Sequence, residues 1–105
     1  MANDILAEIR EAALNKDLEM SLHAIQEAYE ESISPEDIRQ ALGNRQIIED
    51  YPEHRRGACC LICGDTNARR PLHIVCTSKR KPVLIITVYE PQPPKWLTPT
   101  RRNIP

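Results

Sequence analysis

Phenylalanine is absent from this chain, tryptophan occurs once and glycine three times in 105 residues. A core without phenylalanine must be assembled from Leu, Ile, Val, Ala and Cys, and so is small and modestly stabilised. A long apolar run is also missing: nothing approaches the ~20 residues that cross a bilayer. The start, Met1-Ala2-Asn3-Asp4, lacks the basic-then-apolar order of a secretion signal. Together these absences lead to the expectation of a cytoplasmic protein with no membrane partner and with mostly reduced thiols. A global field of one sign is absent too, because 14 Lys and Arg face 15 Asp and Glu. That balance argues against the strongly basic domains that hold DNA by charge alone.

The near-neutral total conceals a division. Acidic residues crowd the first half (Glu27, Glu30, Glu31, Glu36, Asp37, Glu49, Asp50, Glu53). Basic residues dominate the second (Arg55, Arg56, Arg69, Arg70, Lys79, Arg80, Lys81, Lys95, Arg101, Arg102). A basic face on the second half and an ordinary solvated surface are equally compatible with this asymmetry.

Hydrophobic spacing predicts helices first and strands afterwards. Ile5, Ile9, Ala12 and Ala13 share one helical face over residues 4–14, and Leu18, Leu22, Ile25 and Tyr29 predict a second helix over about 18–31. Ser34, Pro35 and the pair Glu36-Asp37 are a helix start, and Gly43 a stop, which predicts a third helix. The period then changes. Residues 45–51, 58–63, 72–77 and 83–90 read as strands, the last, rich in β-branched residues, as a central one. Proline and arginine after residue 96 predict an extended or disordered basic tail over 97–105 behind a single domain of residues 1–96. The expected class is α+β: two to three N-terminal helices on a four-stranded, mainly antiparallel meander sheet.

Functional groups concentrate where two strands end. Arg69-Arg70-Pro71-Leu72-His73 opens one strand and Thr87-Val88-Tyr89-Glu90-Pro91 closes the next, so antiparallel pairing brings them together. Paired guanidinium groups suit a phosphate. Histidine, tyrosine and glutamate can move protons near neutral pH. Taken singly, each has a plain structural role: His73 as a satisfied core histidine, Tyr89 as a core-edge aromatic, Glu90 as an ion-pair partner. Taken together, they are the parts of a metal-independent ribonuclease, which needs a base for the 2′-hydroxyl, an acid for the leaving oxygen and a cation for the phosphorane. His23 flanks the second helix and is an auxiliary candidate. Arg69, Arg55, Arg56, Lys79 and Arg80 are candidate RNA contacts, and His54 lies in a loop.

The cysteines raise zinc as an alternative. Cys60 and Cys63 have ligand spacing, with His73 and Cys76 to complete a set. A zinc knuckle needs a turn between its paired cysteines, however, and Leu61-Ile62 is strand-like, which sends Cys60 and Cys63 to opposite faces. Pairing across the hairpin would set Cys59 beside Cys76. The expectation is therefore small apolar core residues, with no metal and no cofactor.

The blocks His23-Ala24, Ile33-Ser34-Pro35-Glu36-Asp37-Ile38, Ile47-Ile48-Glu49-Asp50-Tyr51-Pro52, Cys60-Leu61-Ile62, Arg70-Pro71-Leu72-His73-Ile74-Val75 and Thr87-Val88-Tyr89-Glu90-Pro91 resemble a bacterial family of uncharacterised domains grouped with the RelE/ParE-like ribonuclease toxins. The resemblance runs from about Ser21 to Trp96. It implies a RelE/ParE-like fold and a role as the toxin of a toxin–antitoxin pair. It also implies an mRNA substrate, ribosome-bound in some relatives, and a small antitoxin partner, often with paired CxxC zinc motifs. Carried over by position, its functional residues are His23, Arg70, His73 and Tyr89. One departure is clear: the family commonly has arginines after its helical His-Ala, where this chain has Gln26, Glu27, Glu30 and Glu31. A non-catalytic protein-interaction module of the same fold is the alternative.

Overall fold

The computed structural model describes residues 2–15, 17–55, 57–80 and 82–103. Three helices, α1 (Ala2–Leu14), α2 (Leu22–Glu30) and α3 (Pro35–Gly43), lie on one face of a mixed sheet. Its strands are β1 (Leu18–Met20), β2 (Arg45–Tyr51), β3 (Cys59–Asp65), β4 (Pro71–Thr77) and β5 (Val83–Tyr89), in the order β1-β5-β4-β3-β2. The chain is thus α+β, with five strands rather than the expected four. The added strand runs parallel to its neighbour, Leu18 beside Val83 and Met20 beside Ile85.

The difference comes from Ser21. Its backbone N–H donates to the Ile85 carbonyl at 2.9 Å and its hydroxyl to the Ile86 carbonyl at 2.8 Å. The same hydroxyl accepts from Ala24 N at 3.1 Å, capping α2. A helix cannot run through a residue tied to a strand edge in this way, so residues 18–20 are extended and α2 starts late. The buried side of α2 is then Ala24 and Ala28, while Leu22, Ile25 and Tyr29 are exposed. The apolar spacing had marked the outward face of this helix.

α3 forms as expected. Asp37 N donates to the Ser34 hydroxyl at 3.0 Å and Ser34 N to the Asp37 carboxylate at 2.9 Å, a closed capping box with Pro35 in the first turn. Such a cap stabilises a helix by about 1 kcal/mol. Ile38, Ala41 and Leu42 face inward. At its end α3 presses on β3: a Cβ on Gly64 would lie 1.9 Å from the Ala41 carbonyl oxygen, so only glycine fits there.

β4 is the middle strand, and β5 is covered at its outer edge by β1 only over residues 83–85. Beyond them α2 completes the edge with carboxylates. Glu27 accepts from Val88 N at 3.0 Å and Glu31 from Glu90 N at 2.9 Å. The helix-side core joins Ile9, Ile38 and Leu42 to Ile62, Leu72, Ile74, Ile85 and Val88. Cys60 and Cys76 face each other in this layer, whereas Cys59 pairs with Thr77 rather than with Cys76.

After residue 90 the chain does not continue as an extended tail. Strands β6 (Trp96–Thr98) and β7 (Arg101–Arg102) pair in a small separate ribbon. It lies against the sheet face that the helices leave uncovered, where Trp96 meets His73 edge-on. Among the described residues, no helix is long and apolar enough to cross a membrane.

Candidate functional site

Strand alternation sends Leu72, Ile74 and Cys76 into the helix-side core and His73 to the opposite face. Register then surrounds it: His73 stands beside Cys63 of β3 and Tyr89 of β5. On β2 the pairing slips at Ile48, so that Glu49 comes opposite Leu61 and Tyr51 opposite Cys59. That bulge turns Glu49 and Tyr51 onto the face that carries His73.

His73 is fully buried and both its ring nitrogens are engaged. Nε2 lies 2.5 Å from the Pro99 carbonyl oxygen and Nδ1 lies 3.1 Å from the Tyr89 hydroxyl. A carbonyl can only accept, so Nε2 carries the hydrogen and, in the neutral ring, Tyr89 donates to Nδ1. Burial pushes the imidazole below the ordinary histidine value, opposed by the Pro99 hydrogen bond and the Glu49 charge and reinforced by Arg102 and Lys95. Burial likewise pushes the Tyr89 hydroxyl up.

The rest of the cluster is a chain of polar and aromatic contacts. Trp96 meets His73 edge-on, ring centres 4.3 Å apart, and Arg102 lies 4.7 Å from the centre of the indole. Arg102 also grips Glu49 through two bonds, of 2.6 and 2.8 Å, and Tyr51 donates to the same carboxylate. The Arg102 guanidinium holds Glu49 down at about 2, against burial and aided by Tyr51. Burial and the Glu49 carboxylate push Tyr51 up to about 12. Arg102 is itself raised by Glu49. The indole N–H of Trp96 is buried without a hydrogen-bond partner.

The expected constellation is divided between two faces. His73 and Tyr89 meet, as antiparallel pairing implied. Arg70 and Glu90 point to the helix side, where they pair at 2.6 Å. There Arg70 also donates to the carbonyls of Glu31 at 2.6 Å and Ser32 at 3.1 Å, closing the end of α2. His23 is exposed on α2 and lies 3.3 Å from Glu27. The proposed RNA contacts are divided as well. Arg69, exposed in the β3–β4 turn with φ of 63°, is at one end of the sheet. Arg55, Lys79 and Arg80 are exposed at the other end, about 20 Å away along a seven-residue strand, with Arg80 3.6 Å from Glu19. Arg56 lies outside the described residues.

Sequence reading missed Glu49, Tyr51, Trp96 and Arg102. The lone tryptophan was the one available signal, since a polar-tipped aromatic in a proline-rich tail has little reason to be there unless it packs. The cysteines form no metal set: among the described residues no three His, Cys, Asp or Glu side chains converge. Cys76 is held protonated by its bond to Cys60 and by burial.

The fold and the cluster define a small α+β domain whose helix-free sheet face carries a buried histidine among tyrosine, glutamate and arginine. Residues 20–90 match the family described as a domain of unknown function (DUF4258), and the chain belongs to that family. His23, Glu49, Tyr51, Arg70, His73, Tyr89 and Glu90 fall inside the match, and the β6–β7 ribbon lies beyond it. No curated protein and no solved structure matches the chain.

Proposed function

We propose that this protein is a RelE/ParE-like toxin of a bacterial toxin–antitoxin pair, acting in the cytoplasm as a metal-independent endoribonuclease on mRNA. The observation that carries this reading is His73 held by Tyr89 on the same sheet face as Glu49. The resemblance of the sequence blocks to the RelE/ParE-like toxins agrees with it. Glu49, released from Arg102, takes the proton of a ribose 2′-hydroxyl as that oxygen attacks the adjacent phosphorus. The bond from phosphorus to the 5′-oxygen breaks, and protonated His73 supplies the proton to that leaving oxygen. The products are a 2′,3′-cyclic phosphate and a 5′-hydroxyl, with no water consumed. Tyr89 orients the imidazole through Nδ1. Arg70 is a positioning residue in this scheme, because its guanidinium already holds the end of α2. Ribosome-bound mRNA would bring its own electrostatic surroundings, which suits a chain of net charge −1.

The test is tightly inducible expression of wild type, His73→Ala and Glu49→Gln at matched soluble levels, with RNA end mapping. Growth arrest and new 5′-hydroxyl ends with wild type alone are expected. Unimpaired growth and no new ends, with ribosomes present, would sink the reading.

A second reading, a non-catalytic interaction module, rests on α2. Leu22, Ile25 and Tyr29 are 74%, 51% and 87% exposed on one stripe beside Gln26 and Glu30. This is where a cognate antitoxin would dock its apolar side. Loss of a co-purifying partner in Ile25→Asp/Tyr29→Asp, with no RNA cleaved by wild type, would favour this reading over the ribonuclease.

A further inference from the structure

The His73 site, as folded, is closed by the chain's own C-terminal ribbon. The closure rests on few anchors. β6 and β7 make no strand pairing with the main sheet, and Leu97, Thr98, Pro99, Thr100 and Arg101 are exposed. A two-stranded ribbon is marginal by itself in water. Among the described residues, the Trp96 ring on His73, the Pro99 carbonyl on Nε2, and Arg102 on Glu49 and Tyr51 set its place. Exposed Gln92, Pro93, Pro94 and Lys95 connect it to β5.

The surface under the ribbon is also unusual for a purely structural cover. A cover that only completes a core seals apolar surface, whereas this one buries His73 and lies over the half-buried Tyr89, Glu49 and Tyr51. Its two inward groups have the chemistry of a nucleotide. An aromatic ring lies edge-on against the imidazole, ring centres 4.3 Å apart, in the space a nucleobase would fill, and an acceptor oxygen takes the Nε2 hydrogen as a phosphate oxygen does.

We infer that the β6–β7 ribbon is a displaceable lid that occupies the His73 site in place of single-stranded RNA, with Trp96 standing for a base and the Pro99 carbonyl for a phosphate oxygen. The inference rests on the ribonuclease reading above and adds its regulation: RNA and the ribbon compete for one face. Lifting the ribbon frees Glu49 from Arg102 and returns His73 to solvent. His73 then lies beside Cys63, Tyr89 and Glu49, away from Arg102, and can take up the proton that the cleavage step requires.

Two experiments on the full chain test this. In the first, a 2′-O-methyl RNA oligonucleotide, which resists cleavage, is titrated into wild type and into Trp96→Ala/Arg102→Gln, with His73 followed by nitrogen NMR. Binding at least about tenfold tighter in the variant, with His73 now titrating near its ordinary value, is expected. Equal affinity in a variant with native circular dichroism overturns the lid and leaves the ribonuclease reading standing. The second needs no variant: nitrogen NMR of wild type should show the Nε2 hydrogen of His73, bonded to the Pro99 carbonyl, exchanging with solvent at least about a hundredfold more often than the Ile74 and Val75 amides. Equal protection overturns the lid even if the variant fails to fold. Local opening with no RNA bound by either form overturns the nucleotide mimicry through failure of the ribonuclease reading itself.

Discussion

Arg70 shows how a residue type can suggest one role and a fold assign it another. Its three guanidinium nitrogens reach Glu90, Ser32 and Glu31, so its removal leaves two helix-terminal carbonyls and a carboxylate without their donor. Hydrogen bonds to a charged group of this kind contribute about 2–3 kcal/mol, and Arg70→Ala should lower the urea unfolding free energy by about that amount. An unchanged midpoint would return Arg70 to the pool of free phosphate ligands. Gly64→Ala should be worse, at least about 3 kcal/mol or loss of soluble protein, because the nearest atom is backbone and cannot swing aside. Neither role was legible in the sequence. Residues 31, 32 and 90 reach Arg70 only after the sheet forms, and nothing local marks the close passage of α3 over residue 64. The meeting of His73 and Tyr89 was legible, because one short link joins two obvious strands and antiparallel pairing does the rest.

At the scale of elements, α2 and α3 are a contrast. α3 announces itself through Ser34, Pro35 and Asp37, local signals with local energies, whereas Gly43, the expected stop, is still helical and Asn44 is the cap. α2 does not, because Leu18, Leu22, Ile25 and Tyr29 mimic a buried stripe at helical spacing while the true contact is made by two alanines. The small side chains bring the α2 backbone close enough for Glu27 and Glu31 to reach β5. Enlarging that contact should therefore be costly: Ala28→Leu should destabilise by about 1–3 kcal/mol in chemical unfolding. Tyr29→Ser, on the outward stripe, should change stability by no more than about 0.5 kcal/mol. The reverse order would mean that α2 is turned the other way. The three residues of β1 were illegible for a related reason: only tertiary pairing with Val83–Ile85 makes them a strand. The bulge at Ile48 hid Glu49 in the same manner. Strict alternation from Ile47 puts Glu49 on the helix side, and one extra residue transfers it to the His73 face.

Across the whole molecule, one face of the sheet is held by apolar packing and the other by groups that titrate. Glu49, lowered from 4.5 to about 2, contributes stability that is present above 4.5 and is lost as pH falls through about 2. His73, kept neutral by burial, costs stability as pH drops below its ordinary 6.5, since the unfolded chain takes up the proton first. Tyr51, raised from 10 to about 12, gives stability that is lost as pH climbs from 10 through about 12. A plateau from about 6.5 to 9, above which the buried thiols Cys63 and Cys76 begin to cost stability, should follow in urea midpoints measured against pH. Glu49→Gln should erase the acid limb below 4.5 and His73→Gln the slope that begins near 6.5. The opposite faces of the same sheet also differ in what their margins permit. On one margin two carboxylates occupy the hydrogen-bonding positions of a strand that is not there, and on the other the bulge at Ile48 breaks the regular row. Neither margin is a clean template for a neighbour's backbone. Stacking of molecules into fibres is thereby discouraged at both margins of the sheet. Glu27→Leu/Glu31→Leu, which empties one of those margins, should seed thioflavin-binding aggregates under conditions where the wild type does not.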